Sequence, residues 1–134
     1  MRIVGPIRMR TIHTTVVDCP IKSPFTKCFS KSMMNSDYIY TEPINGVPYS
    51  TCDDLKQNHV ITGEQEDFPC GGYVIDANPT NVDKKGFQKL LNSKLDVLFG
   101  ESARGLNLEV TLYSPRSDMW THIFILFEYG IQGE

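Results

Sequence analysis

The chain has 134 residues, 40% of them hydrophobic, with a formal net charge of −3 and a pI of about 5.6. That length suits a single domain, residues 1–134, with its own core, and its thirteen Lys and Arg, scattered among sixteen Asp and Glu, exclude a phosphate-tracking surface and so nucleic acid as an expected partner. No apolar run approaches the roughly 20 residues of a membrane-spanning helix, and the expectation is a soluble fragment holding neither a signal peptide nor a transmembrane segment.

The first element is a strand within Ile3–Val17, broken early by Gly5-Pro6 and alternating imperfectly through Ile7, Met9 and Thr11. Arg2, Arg8 and Arg10 on that strand read as a solvated face or as edge protection. Pro20 and Pro24 make the stretch from Cys19 to Cys28 a short irregular excursion. From Phe29 to Ser50 the chain is rich in Ser, Asn and Tyr, with a tight-turn signal at Asn45-Gly46 and a brief strand expected at Tyr38, Ile39 and Tyr40.

Four cysteines, Cys19, Cys28, Cys52 and Cys70, lack the C-x-x-C hooks of a structural zinc site. Their flanks, Asp18, Pro20, Lys27, Asp53, Pro69 and Gly71, have loop chemistry, which favours disulfides and an oxidising compartment. Four cysteines allow three connectivities, of which Cys19 to Cys28 with Cys52 to Cys70 closes the shortest loops. Between Cys52 and Cys70 lie Asp53, Asp54, Glu64, Glu66 and Asp67, without the alternate-position oxygens, central Gly and closing Glu of a calcium loop, so a solvated acidic loop is expected. His13, His59 and His122 are far apart and adjoin no nucleophile motif, and no phosphate-loop or dinucleotide fingerprint occurs. No catalytic residue, metal site or cofactor is expected, and the chain is not read as an enzyme.

Gly71-Gly72-Tyr73-Val74-Ile75-Asp76 reads as a turn leading into a short strand. Thr80 with Asp83 three positions on resembles a capping box, and Phe87, Leu90, Leu91, Leu95 and Leu98 recur at helical spacing, predicting an amphipathic helix from Asn81 to about Val97. Leu106, Leu108, Val110 and Leu112 then alternate with polar neighbours as a half-buried strand. Ser114-Pro115-Arg116-Ser117-Asp118 turns the chain into Met119–Glu128, whose continuous apolar run Ile123–Phe127 predicts a strand covered on both faces. The pair should be a hairpin at the heart of the sheet. The expected fold is therefore α+β: an antiparallel β-sheet with helices packed on one face and disulfide-stapled loops.

Gly71-Gly72-Tyr73-x-x-Asp76, the Thr80-capped helix, the link ending at Arg104, and the strands LNLEVTLY and MWTHIFILFE resemble the second half of the extracellular domain of polycystin channels. That domain is inserted between the first two transmembrane helices of each subunit. The opening IVGPIRMR followed by a Cys-to-Cys loop is similar to its start. The resemblance covers most of the chain, with departures at Gly100-Glu101-Ser102-Ala103, at the turn after Tyr113, in the additional Cys52 and Cys70, and in the absence of a usable glycosylation sequon. Two disulfides also resemble the luminal domain of mucolipin channels.

The resemblance implies the exposed domain of a Ca²⁺-permeable, non-selective cation channel of the TRP superfamily, at the extracellular or luminal face of a ciliary, plasma or endoplasmic-reticulum membrane. Its partners would be neighbouring subunits of a homo- or heterotetramer, in a ring gripped through the stapled loop and the sheet, with Ca²⁺ an ion it could meet and the membrane reached only through the parent channel. It also implies structural or assembly roles for Gly71, Gly72, Tyr73, Asp76, Arg104, Tyr113 and Phe127. The alternatives are a mucolipin-like luminal domain and a free secreted, disulfide-stapled binding module.

Overall fold

The computed structural model describes residues 1–18, 27–29, 39–56, 61–63, 67–78, 84–100 and 102–129, and for residues 16–18 and 27–29 the backbone alone. Its elements in chain order are β1 (Arg2–Ile3), β2 (Ile7–His13), β3 (Val16–Asp18), β4 (Lys27–Phe29), β5 (Tyr49–Ser50), β6 (Ile61–Thr62), β7 (Asp67–Phe68), β8 (Gly72–Ala77), α1 (Lys84–Ser93), α2 (Leu95–Phe99), β9 (Ala103–Ser114) and β10 (Met119–Glu128).

The twelve-residue β9 is the spine of a six-stranded sheet. One of its edges takes β10 along its whole length, from Met119 opposite Ser114 to Glu128 opposite Gly105. The other edge takes β1 and β2 in succession, Arg2 opposite Tyr113 and Arg8 opposite Glu109. β8 follows outside β2, with Met9 opposite Ile75, and β5 outside β8. Every pairing is antiparallel. Two small hairpins, β3–β4 and β6–β7, stand apart.

The period of two sorts the strands into two faces. Met9, Tyr73, Ile75, Ala77 and Leu106 share one, where Val97 and Leu98 of α2 complete the buried cluster and Phe87, Leu90 and Leu91 of α1 pack against it. The predicted helical stripe thus does lie on one face. The helix is two helices, however, because Lys94 leaves helical geometry at φ −119° and ψ 20°. That turn lets Val97 and Leu98 reach the sheet at a new angle while Leu95 points out, 47% exposed. The Thr80–Asp83 cap lies outside the described residues.

On the opposite face a smaller cluster joins Ile12, Phe68, Ile61 and Leu126 under the β6–β7 hairpin. A bond from Cys52 to Cys70, with Cα atoms 5.2 Å apart, staples that excursion. Within it Asp54 accepts from the Thr51 amide at 2.9 Å while its own amide donates to the Thr51 hydroxyl at 3.1 Å, a local turn that holds the Asp54 carboxyl below its usual pKa. The pairing of Cys19 with Cys28 lies outside the described residues, although Cys28 does sit on β4 opposite Val17. Of the strand expected at Tyr38–Tyr40, an isolated bridge between Ile39 and Thr14 is present, and Tyr38 lies outside the described residues.

The expectation of a second hairpin strand covered on both faces is overturned. The β9–β10 hairpin is real, but among the described residues β10 is the edge of the sheet and most of both its faces is exposed, Leu126 alone packing into the smaller cluster. Met119 is 59% exposed, Trp120 63%, Phe124 55%, Ile125 42% and Phe127 49%. The physical reason is that α1 and α2 supply one apolar stripe, which is used up over β2, β8 and the start of β9. An uninterrupted apolar run is equally the signature of a buried strand and of one whose cover comes from elsewhere.

Candidate interaction surface

The surface begins with the backbone. Tyr129 donates its amide to the Arg104 carbonyl at 2.9 Å, continuing the β9–β10 ladder one step beyond Glu128. In an antiparallel ladder alternate residues point their N–H and C=O to the same side, so the odd-numbered residues of β10 face β9. Trp120, His122, Phe124, Leu126 and Glu128 therefore aim their backbone groups outward, where β10 meets no other strand among the described residues.

The side chains give this edge two apolar flanks. Met119, Ile123, Ile125 and Phe127 lie on the helix-bearing face, continuous with Leu108, Val110 and Leu112 of β9. On the other face Trp120 packs on Tyr113 with ring centroids 4.7 Å apart, and His122 stacks on Phe124 at 4.4 Å. The Tyr113 hydroxyl donates to Asp118 at 2.8 Å and Arg2 lies 5.9 Å above its ring, so the hairpin tip is held from both sides. At the other end Tyr129 donates its hydroxyl to the Leu98 carbonyl at 2.9 Å, and burial pushes its pKa up to about 12. The hairpin is held at both ends, while among the described residues no strand pairs with its outer edge.

Beside the edge, Val4, Pro6, Arg8, Glu109, Thr111 and His122 line a shallow polar recess of about 240 Å³. Arg8 is already committed to Asp76, its Nε and Nη2 donating to the two carboxylate oxygens at 2.9 and 3.1 Å. Glu109 accepts from Asn107 at 3.0 Å.

The residues singled out by the resemblance do not gather into one site. Tyr73 is fully buried, and its hydroxyl donates to the Tyr40 and Glu42 carbonyls at 3.1 and 2.5 Å, tying the β5-side loop to the core. Gly71 and Gly72 make the turn before it, and Asp76 holds Arg8 on the far side of the same strand. Arg104 is 3% exposed and donates to the Thr14 hydroxyl at 3.4 Å. Tyr113 and Phe127 alone stand on the outer part of the hairpin. Five of the residues are thus fixtures of the sheet, and two belong to the surface.

Two polar residues lie in the strand interior, and the expectation of a solvated or edge-protecting role is overturned for Arg10, because β2 runs between β8 and β9. Arg10, 3% exposed, reaches under the stapled loop and donates to the carbonyls of Pro69 and Gly71, on either side of Cys70. Burial lowers its pKa, an effect that the Glu109 charge opposes. His13, 1% exposed, meets the Val97 carbonyl through Nε2 and Ser102 Oγ through Nδ1, each at 2.7 Å. Because a carbonyl can only accept, Nε2 carries the proton and Nδ1 accepts from the hydroxyl. Burial holds the His13 pKa below its usual 6.5. The signal for both was a long polar side chain between apolar neighbours in an imperfectly alternating strand.

Among the described residues no three His, Cys, Asp or Glu side chains converge on a point where a metal could sit, and no helix is long and apolar enough to cross a membrane. No family model matches the chain. None of the curated proteins matches it in sequence either.

Proposed function

We propose that the chain is an assembly domain of a polycystin-like, Ca²⁺-permeable cation channel, working at the extracellular or luminal face of a membrane through contacts with other subunits. The observation that carries the assembly part is β10: a rigidly held, ten-residue edge strand with five large apolar side chains between 42% and 63% exposed. A monomeric domain rarely leaves so much contiguous apolar surface in water, whereas a domain that functions inside an oligomer does. The Cys52–Cys70 disulfide supports an oxidising compartment. The channel part rests on the resemblance of the glycine turn, Arg104 and the two hairpin strands.

Such a domain must connect to membrane helices at both ends. β2 and β10 flank β9, so Arg8 and Phe124 stand level with one another across Glu109. Arg2 and Tyr129, by contrast, mark opposite ends of β9, about 30 Å apart at roughly 3.4 Å per residue. The work assigned to the domain is holding subunits in register and passing movement to the pore, with no bond made or broken, so no enzymatic activity is proposed.

The test is the full-length transcript expressed in a membrane. Apolar segments of about 20 residues on each side of this chain, together with a tetramer on native gels and cation currents, are the expected result. A cleavable leader before Met1 with a stop directly after Glu134 would overturn the channel reading and favour a secreted binding module.

A further inference from the structure

We infer that the partner of β10 is β10 of a second copy of this chain, paired antiparallel about a two-fold axis so that two sheets become one. The inference rests on the assembly reading only in that copies of the chain meet: a two-fold contact joins copies in pairs and does not repeat around a four-membered ring.

β10 has none of the devices that keep an edge strand single. Its sequence MWTHIFILFE contains no Lys and no Pro, its ladder with β9 runs without a bulge, and ten residues are long for an edge. An added strand would meet outward N–H and C=O groups at every even-numbered residue and would be flanked by apolar side chains above and below.

The sequence of β10 is also complementary to itself in one register. In a continuous two-fold sheet, residues opposite one another must share a face, so their numbers sum to an even value. With Ile125 opposite its own copy, Ile123 meets Phe127 and Phe124 meets Leu126, each twice, and His122 meets Glu128 twice. Every apolar residue from Ile123 to Phe127 then faces an apolar one, and the imidazole faces a carboxylate, whose oxygens accept several bonds at once. Moving the register one step either way spoils this: with Phe124 on the axis His122 faces Leu126 and Trp120 faces Glu128, and with Leu126 on the axis Phe124 faces Glu128. The favoured register also puts the outward backbone groups of His122, Phe124, Leu126 and Glu128 in hydrogen-bonded pairs, for about eight new bonds. Ile125 falls in a non-hydrogen-bonded pair, where Cα atoms approach to about 4.5 Å.

The test uses the oxidised 134-residue chain, which carries its own core and disulfide. Sedimentation equilibrium across the micromolar range should give twice the 15.2 kDa of one chain. Ile125→Lys, which sets two ammonium groups against each other on the axis, should weaken the dimer by about a hundredfold or more with the circular dichroism unchanged. Ile125→Cys should form a covalent dimer in air, whereas Ile123→Cys, whose partner in this register is Phe127, should not. A wild-type monomer, or a dimer indifferent to Ile125→Lys, overturns the inference. So does a monomer whose Trp120 emission shifts blue on phosphatidylcholine vesicles, since the edge would then face lipid; Trp120 is the sole tryptophan and reports on this strand alone. If the full-length protein forms a tetramer while the 134-residue chain stays monomeric, this inference fails and the channel reading does not.

Discussion

Replacing Gly72 by Ala tests how β8 is locked onto β2. Gly72 has φ +126°, a region an L side chain rarely adopts, and a Cβ there would fall well under 3.0 Å from the Thr11 carbonyl oxygen of β2. The backbone strain costs about 1–3 kcal/mol. The clash adds about 1–3 kcal/mol more, because its near neighbour is main chain in a paired strand and cannot swing aside. A loss of about 4 kcal/mol is a large part of the 5–15 kcal/mol typical of a domain, and at about 3–4 °C per kcal/mol for this size it lowers Tm by roughly 12–16 °C. Gly5→Ala is the control: its φ is +75°, but a Cβ there meets nothing within 4 Å, so it shows strain without the clash, about 1–2 kcal/mol. Urea melts of both variants, with the disulfide oxidised, separate the two contributions. If Gly72→Ala unfolds within about 1 kcal/mol of Gly5→Ala, the close approach of β8 to β2 is not what this glycine serves.

Three further outcomes are expected. Cys52→Ser together with Cys70→Ser opens an 18-residue separation and should lower unfolding free energy by about 3 kcal/mol, read as a urea-midpoint shift that dithiothreitol reproduces in the parent chain. The folded chain resists protonating His13 while the unfolded chain takes up a proton near 6.5, so stability is full above that pH and declines as pH falls through it toward the depressed folded pKa. Urea midpoints between pH 8 and pH 5 should fall accordingly, and His13→Gln should flatten that part of the profile. Tyr73→Phe removes the donor to the Tyr40 and Glu42 carbonyls, costing about 1–2 kcal/mol and speeding amide exchange at Ile39 and Ile44 more than in β9.

The parts of the fold with a strict period were legible in the sequence. Leu106, Leu108, Val110 and Leu112 announced β9 and its buried side, and Phe87, Leu90 and Leu91 announced the helix that covers it. The Gly71-Gly72 turn and the shortest loop across Cys52 and Cys70 were equally local in origin. What stayed hidden depends on position in the sheet, which no period encodes. Ile123–Phe127 has the same letters whether a neighbour lies beside it or not, so the edge location of β10 was invisible. Yet the chain offered apolar stripe enough for one face only. Arg10 and His13 were hidden for a related reason: their partners are carbonyls of Pro69, Gly71 and Val97, and main-chain acceptors leave no mark in a sequence.

The order of strands around β9 also bears on how the chain comes to be folded during synthesis. β1, β2 and β10 all pair with β9, and β9 starts at Ala103. A nascent chain that has emerged as far as α2 can form the β2–β8 ladder and little more of the sheet, because the strand that joins the rest has not been made. Its apolar residues must wait, because pairings as distant in sequence as Arg2 with Tyr113 carry a large loop-closure cost and form late. During that interval Cys52 and Cys70 are already out of the ribosome and free to react. Arg10, on β2, can hold the carbonyls beside Cys70 as soon as β8 docks, which lets the correct thiols meet before the sheet is complete.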